Sequence, residues 1–292
     1  MTDLWILLSL FSAFTLATSD AFTKKALESC NEYLVAWFRL LFALPLLLAV
    51  LVVIPRPDLD AQFFRSFFLA LPLELISVIF YIKALRISPL SLTLPFLSLT
   101  PVFAIVVSFI VLGEKVSLQG VFGIFFLAAG SYVLQLHQLR NGILEPVKAV
   151  VREKGSLLMI LVAFIYSLTS PLGKMAIMHS SPLFFGATYI VCLTVCFSPI
   201  AIWKGRHDIK TFLHYGYHRR LVLPGLFYAL MVASHMTAIS LTKVAYMISL
   251  KRTSVLMGVL YGYFLLREKN IEERLTGAIM MTIGFIMIVT AK

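Results

Sequence analysis

Apolar segments long enough to cross a membrane as helices recur from one end of the chain to the other, with little between them. They fall at 4–25, 33–54, 64–86, 89–111, 117–136, 155–177, 183–203, 220–241, 244–266 and 271–290, each near the roughly 20 residues that span a hydrocarbon core. A chain of 292 residues that is 60% hydrophobic and 13% charged reads as an integral membrane protein. Blocks of about ten residues with alternating polarity, the mark of a barrel, do not occur. The expected fold class is therefore an all-α membrane protein of ten transmembrane helices. The net charge of +11 then belongs to basic loops facing anionic headgroups rather than to nucleic acid.

The longest links run Pro55 to Phe63, His137 to Lys154 and Lys204 to Arg219, too short for a separate folded domain. Any chemistry lies within the bundle. Two links are tighter still: Ile87, Ser88 and Pro89, and Thr242 with Lys243, which force antiparallel hairpins. The hairpin is one sign of an internal repeat. The turn Gly113, Glu114, Lys115 recurs as Arg267, Glu268, Lys269, a shift of 154, and at that shift Gly123 falls on Gly277 and Gly130 on Gly284. Near the start, Ala13, Phe14, Lys24 and Ala26 match Ala163, Phe164, Lys174 and Ala176 at a shift of 150. Five spans per half put the second half into the membrane from the opposite side, and inverted repeats around a midplane site are a transporter architecture. The expected division is a first five-helix repeat at 1–136, a connecting loop at 137–154 and a second repeat at 155–292.

Within the ninth span, Met247 to Glu268, stand two adjacent cations, Lys251 and Arg252. From an entry near Val244, a rise of about 1.5 Å per residue places Lys251 roughly 10 Å deep. A charge at such depth calls for a buried partner, a water-filled cavity or an anionic ligand. With few intramembrane acids available, the doublet reads as an anion site; the rival reading is an ion pair that only locks helices together.

The two halves, each ending in a Gly/Arg-Glu-Lys turn and a Gly-rich last helix, resemble the EamA family of the drug/metabolite transporter superfamily. The likeness covers nearly the whole chain. It implies ten helices around a central cavity, alternating access and no covalent chemistry. Lys251 and Arg252 are similar to the doublet with which plastid triose-phosphate translocators hold a substrate phosphate. Those translocators carry a further lysine on the fourth helix, four residues before a proline. Here that position, counted back from Pro101, is Leu97, which is also the 154-shift counterpart of Lys251. Half of a pseudosymmetric clamp is thus kept, which suits a monoanion, a phosphodiester or a carboxylate as well as a phosphate dianion.

Other intramembrane polar residues are candidates. Glu74, mid-way along the third span, could pair with Lys251 or Arg252 or carry a coupling proton. Asp20 and Arg39 approach the same membrane face and form a candidate gate or anchoring pair. Tyr81, Tyr166, Tyr228, His235 and Tyr246 could place polar tips on a cavity wall, although most aromatic residues in such a chain pack or face lipid. Lys24, Lys83 and Arg86 lie near helix ends and are expected to snorkel. His214 and His218 sit among Lys204, Arg206, Lys210, Arg219 and Arg220, as a basic interfacial segment would. Cys30, Cys192 and Cys196 have no metal-ligand spacing, and no cofactor is expected. Pro95 and Pro101 mark the fourth helix as a hinge or cavity wall, and Gly258 with Gly262 would let a neighbouring helix approach closely. Met1, Thr2 and Asp3 provide no basic leader, so the first segment is expected to stay.

The reading is a non-enzymatic secondary transporter, driven by exchange or proton coupling, for a small amphipathic anionic metabolite. A flippase for a polyprenyl-phosphate or other anionic lipid is the alternative. Its expected partners are the substrate and membrane lipid, with no nucleic acid, in a monomer or weak homodimer. It is placed in the plasma membrane. The links opposite the termini carry most of the loop Lys and Arg, so the positive-inside rule puts them in the cytoplasm and both termini outside it.

Overall fold

In a computed structural model the protein is described over residues 4–28, 30–88, 93–136, 154–257, 261 and 275–291. Pro89, the connecting segment up to residue 153, Gly258, Gly262 and the turn Arg267, Glu268, Lys269 lie outside these residues. The elements are α1 Leu4–Leu27, α2 Glu32–Val53, α3 Ala61–Ile87, a 3₁₀ turn Leu94–Ser98 leading into α4 Leu99–Leu112, and α5 Leu118–Leu136. The second half repeats this order. It holds α6 Lys154–Met178, α7 Pro182–Gly205, a short helix Ile209–His214 and a 3₁₀ turn Tyr217–Leu221 leading into α8 Val222–Leu241, then α9 Val244–Lys251 and α10 Leu275–Val289.

Among the described residues six helices are long and apolar enough to cross a membrane: α1, α2, α3, α6, α7, and α8 taken with its leading turn. Phe96–Leu112, Leu118–Val133 and Thr276–Val289 are shorter apolar helices.

Local chemistry sets the ends. Asn31 caps α2 by accepting from the Tyr33 N–H at 3.0 Å, and Asp60 caps α3 through Phe63 at 2.9 Å. The same Phe63 N–H holds the Asp60 carboxyl below its ordinary acidity range. Ser181 starts α7 with Pro182 in its first turn, where a missing N–H costs nothing. Gly113 ends α4 at φ 70°, a left-handed conformation that suits glycine.

Ion pairs and hydrogen bonds define two membrane faces. On the face holding the start of α1, Asp60 meets His179 at 2.6 Å and Glu114 meets Lys174 at 2.5 Å. On the other, Glu32 pairs with Arg86 and Asn31 bonds Asp208 at 2.8 Å. Lys24 does not simply snorkel there: its ammonium donates to the Leu85 carbonyl at 2.6 Å and the Ser88 carbonyl at 3.0 Å. It thereby serves the last carbonyls of α3, which have no partner within that helix.

The helix pairings exchange under the repeat. Helices α1 to α5 correspond to α6 to α10; α3 packs on α6 as α8 packs on α1, and α4 on α6 as α9 on α1. The pairs α2 with α7, α4 with α9 and α5 with α10 map onto themselves. At the last crossing a carbon added to Gly284 would lie 2.6 Å from the Gly123 carbonyl oxygen, and one added to Gly130 would lie 2.7 Å from that of Gly277. Only glycine permits that approach.

Candidate functional site

Both repeats interrupt a helix at the corresponding place. In the first, the 3₁₀ turn ends at Ser98 and α4 begins at Leu99. In the second, α9 ends at Lys251 and the chain makes a tight turn at Arg252 and Thr253 before resuming helix. The ninth segment is therefore not one continuous helix. Pro101 sits in the first turn of α4, where a proline is tolerated. The start of α9 is held from the first repeat: Glu114 Oε2 accepts the Val244 N–H at 2.8 Å, and Lys174 bridges Glu114 and the Thr242 carbonyl, the latter at 2.6 Å. The Glu-Lys turn thus acts as a cap supplied by another helix.

These breaks border a cavity of about 140 Å³ lined by residues of both repeats. Lys251, Arg252, Glu74, Arg39, Tyr81, Tyr166, Tyr228 and His235 all line it, and so does Leu97. Adjacent residues on a regular helix point about 100° apart, which predicts that only one of the doublet faces a cavity. Both long side chains nevertheless line the same space.

Lys251 and Arg252 are only 9% and 4% exposed. No carboxylate comes within 4.0 Å of either among the described residues, so the ion pair with Glu74 that the sequence left open does not form. The Lys251 ammonium reaches His235 Nδ1 at 3.3 Å and Met231 Sδ at 3.2 Å. An ammonium has only donors, so in this contact Nδ1 is the acceptor. Arg252 donates to the Thr100 hydroxyl at 3.1 Å, while its Nε is buried without a partner. Two weakly satisfied cations beside a shared cavity are equipped to receive an anion.

Toward the opposite face the charges are matched. Arg39 pairs with Asp20 at 3.0 Å, Tyr81 donates to the same carboxylate, and the guanidinium stacks 4.5 Å from the centre of the Tyr228 ring. Asp20 backs Arg39 and does not line the cavity. Arg39 is seven residues from the start of α2, as Lys251 is from the start of α9, so each lies about 10 Å in from its own end of the bundle.

Tyr246 does not contribute a polar tip to this wall. Its hydroxyl lies 3.1 Å from the Ser117 hydroxyl and accepts the Ser117 N–H at 3.2 Å, and its ring fills the space beside Gly120. It ties the start of α9 to the start of α5. The sequence reading missed Tyr189, Thr169, Ser170 and Lys174 on the cavity wall and Thr100 behind Arg252. The repeat had marked Lys174 and Glu114 separately; nothing in the sequence said that they meet. The Tyr189 hydroxyl is buried without a partner. Among the described residues no group of three His, Cys, Asp or Glu could hold a metal.

No curated protein matches the chain. A solved crystal structure of a protein is similar to it with a TM-score of 0.71 at 14% identity, covering 98% of this chain and 98% of that one; at that identity the likeness shows the fold. The model of the EamA-like transporter family matches residues 3–136 and again residues 153–290. Two matches that together take in nearly every residue, over a bundle whose contacts exchange between halves, establish that the chain belongs to the EamA-like transporter family.

Proposed function

We propose that the protein is a secondary transporter that carries a small amphipathic anion through the bundle by alternating access, with Lys251 and Arg252 receiving the negative group. One observation carries this reading: two adjacent cations line one cavity between the repeats, and neither has a carboxylate within 4.0 Å among the described residues. Burying such charges unpaired is costly, and an anionic substrate would offset the cost. Ten membrane crossings fit the two matched repeats, with the ninth entering through α9. Arg39 with Asp20 and Lys174 with Glu114 lie toward opposite faces, suiting the two closures that alternating access needs. The proposed setting is a plasma membrane, with the basic links in the cytoplasm.

The test is a ligand-induced thermal shift on purified protein across carboxylates, phosphomonoesters, phosphodiesters and lipid-linked phosphates. Stabilisation by a soluble anion class that Lys251→Ala and Arg252→Ala each abolish is expected. A response limited to lipid-linked phosphates would move the reading to an anionic-lipid flippase. Anion responses that survive both substitutions would remove the site.

A further inference from the structure

Glu74 stands apart from the other acids of this region. Asp20 is neutralised by Arg39 and Glu114 by Lys174. Glu74 lines the cavity, yet no cation approaches its carboxylate within 4.0 Å among the described residues. Its close polar neighbours include the hydroxyls of Thr169 and Ser77, and Lys251 lines the same cavity. One space therefore holds a carboxylate with no cation at ion-pair distance and, separately, a Lys-Arg doublet with no carboxylate at that distance among the described residues. Tyr166, Tyr189 and Tyr228 line the same space. Tyrosine faces attract cations, and Tyr228 already stacks on the Arg39 guanidinium.

We infer that the cavity selects an anion that also carries an ammonium group, its negative end at Lys251 and Arg252 and its positive end at Glu74 among the three tyrosines. This rests on the anion reading above and narrows it. A simple anion would bring a second negative charge into the space Glu74 already occupies. An ammonium on the same molecule removes that repulsion and gives the carboxylate a charge-assisted partner. The cavity of about 140 Å³ resembles in size one that holds a single benzene ring. Ligands whose two charged groups are a few bonds apart are therefore the first to compare.

The experiment compares matched probes by calorimetry on the purified full chain: propanoate against β-alanine, and ethyl phosphate against phosphoethanolamine. In the wild-type protein the ammonium-bearing member of the responding pair should bind at least about tenfold more tightly, the size of one charge-assisted hydrogen bond. Which pair responds identifies carboxylate or phosphate. Glu74→Gln should abolish that preference while leaving affinity for the plain anion equal or higher. Equal wild-type affinities within a pair would overturn the inference while leaving the anion site standing. So would a preference that survives Glu74→Gln. Should that variant not fold, the wild-type comparison decides alone. Binding of neither member of either pair would overturn it too, and if the wider anion panel also fails, the anion reading falls with it.

Discussion

Leu97 and Lys251 face the same cavity from opposite repeats, each just ahead of an interruption in its helix. They are counterparts at the 154-residue shift, so at this one pair of positions the pseudo-twofold sets an apolar side chain against a cation. Leu97→Lys should therefore still fold, because the new ammonium enters a polar space rather than lipid, where it would cost about 2.5 kcal/mol or more. It should raise the preference for dianions over monoanions by about tenfold, the effect of one added charge-assisted contact. Affinities for a mono- and dianion panel check this; aggregation, or unchanged charge preference, would place Leu97 away from the ligand.

Unpaired buried cations should weigh against stability when no ligand is bound. Lys251→Met removes the charge and nearly keeps the length of the side chain, and Arg252→Met removes the charge beside Thr100 with a shorter one. Each is expected to leave the melting temperature of the ligand-free protein unchanged or higher, since apolar replacement of buried charge is often stabilising. Anion binding should fall tenfold or more in both. A fall of several degrees in melting temperature would show that the doublet mainly holds the bundle together.

The cap on α9 predicts a different pattern. Glu114→Ala removes both the acceptor of the Val244 N–H and the partner of Lys174. Both side chains are slightly exposed, at 12% and 13%, so the loss should be about 2 kcal/mol, below that of breaking a fully buried pair. Adding Lys174→Met should recover part of it. A double-mutant cycle in denaturant or heat measures the coupling, and strict additivity would show that the two do not act together.

The glycine crossing makes a symmetry prediction. Gly284→Val and Gly130→Val each push a side chain against backbone of the partner helix, which cannot rotate away. Overpacking of this kind costs about 1–3 kcal/mol. The two losses should be similar, because the pseudo-twofold exchanges the Gly123–Gly284 and Gly130–Gly277 contacts. Melting temperatures of the two variants test it; tolerance of either would mean that the helices separate without penalty.

The positive-inside rule predicts that the basic links face the cytoplasm. A cysteine at Asp58, in the exposed link between α2 and α3 on the face that holds the chain termini, should be labelled by an impermeant maleimide on intact cells when Cys30, Cys192 and Cys196 are replaced. Protection until lysis would place the basic links outside.

The all-helical membrane class and the two-repeat organisation were legible in the sequence because they depend on periodicity and composition, which the bilayer imposes on each helix separately. The counterpart relation of Leu97 and Lys251, the glycine matches and the position of the doublet required only counting along the chain. The partners required the tertiary structure. Whether Glu74 neutralises Lys251, whether Glu114 caps α9, and whether Tyr246 or Tyr189 reaches the cavity depend on which helix faces cross, and different crossings satisfy the same hydrophobic pattern. That Lys251 and Arg252 both line the cavity is the clearest case. The helix breaks just after Lys251 with no proline or glycine at the break, so no local signal announces it and tertiary contacts outweigh the weak local preference for continuing the helix.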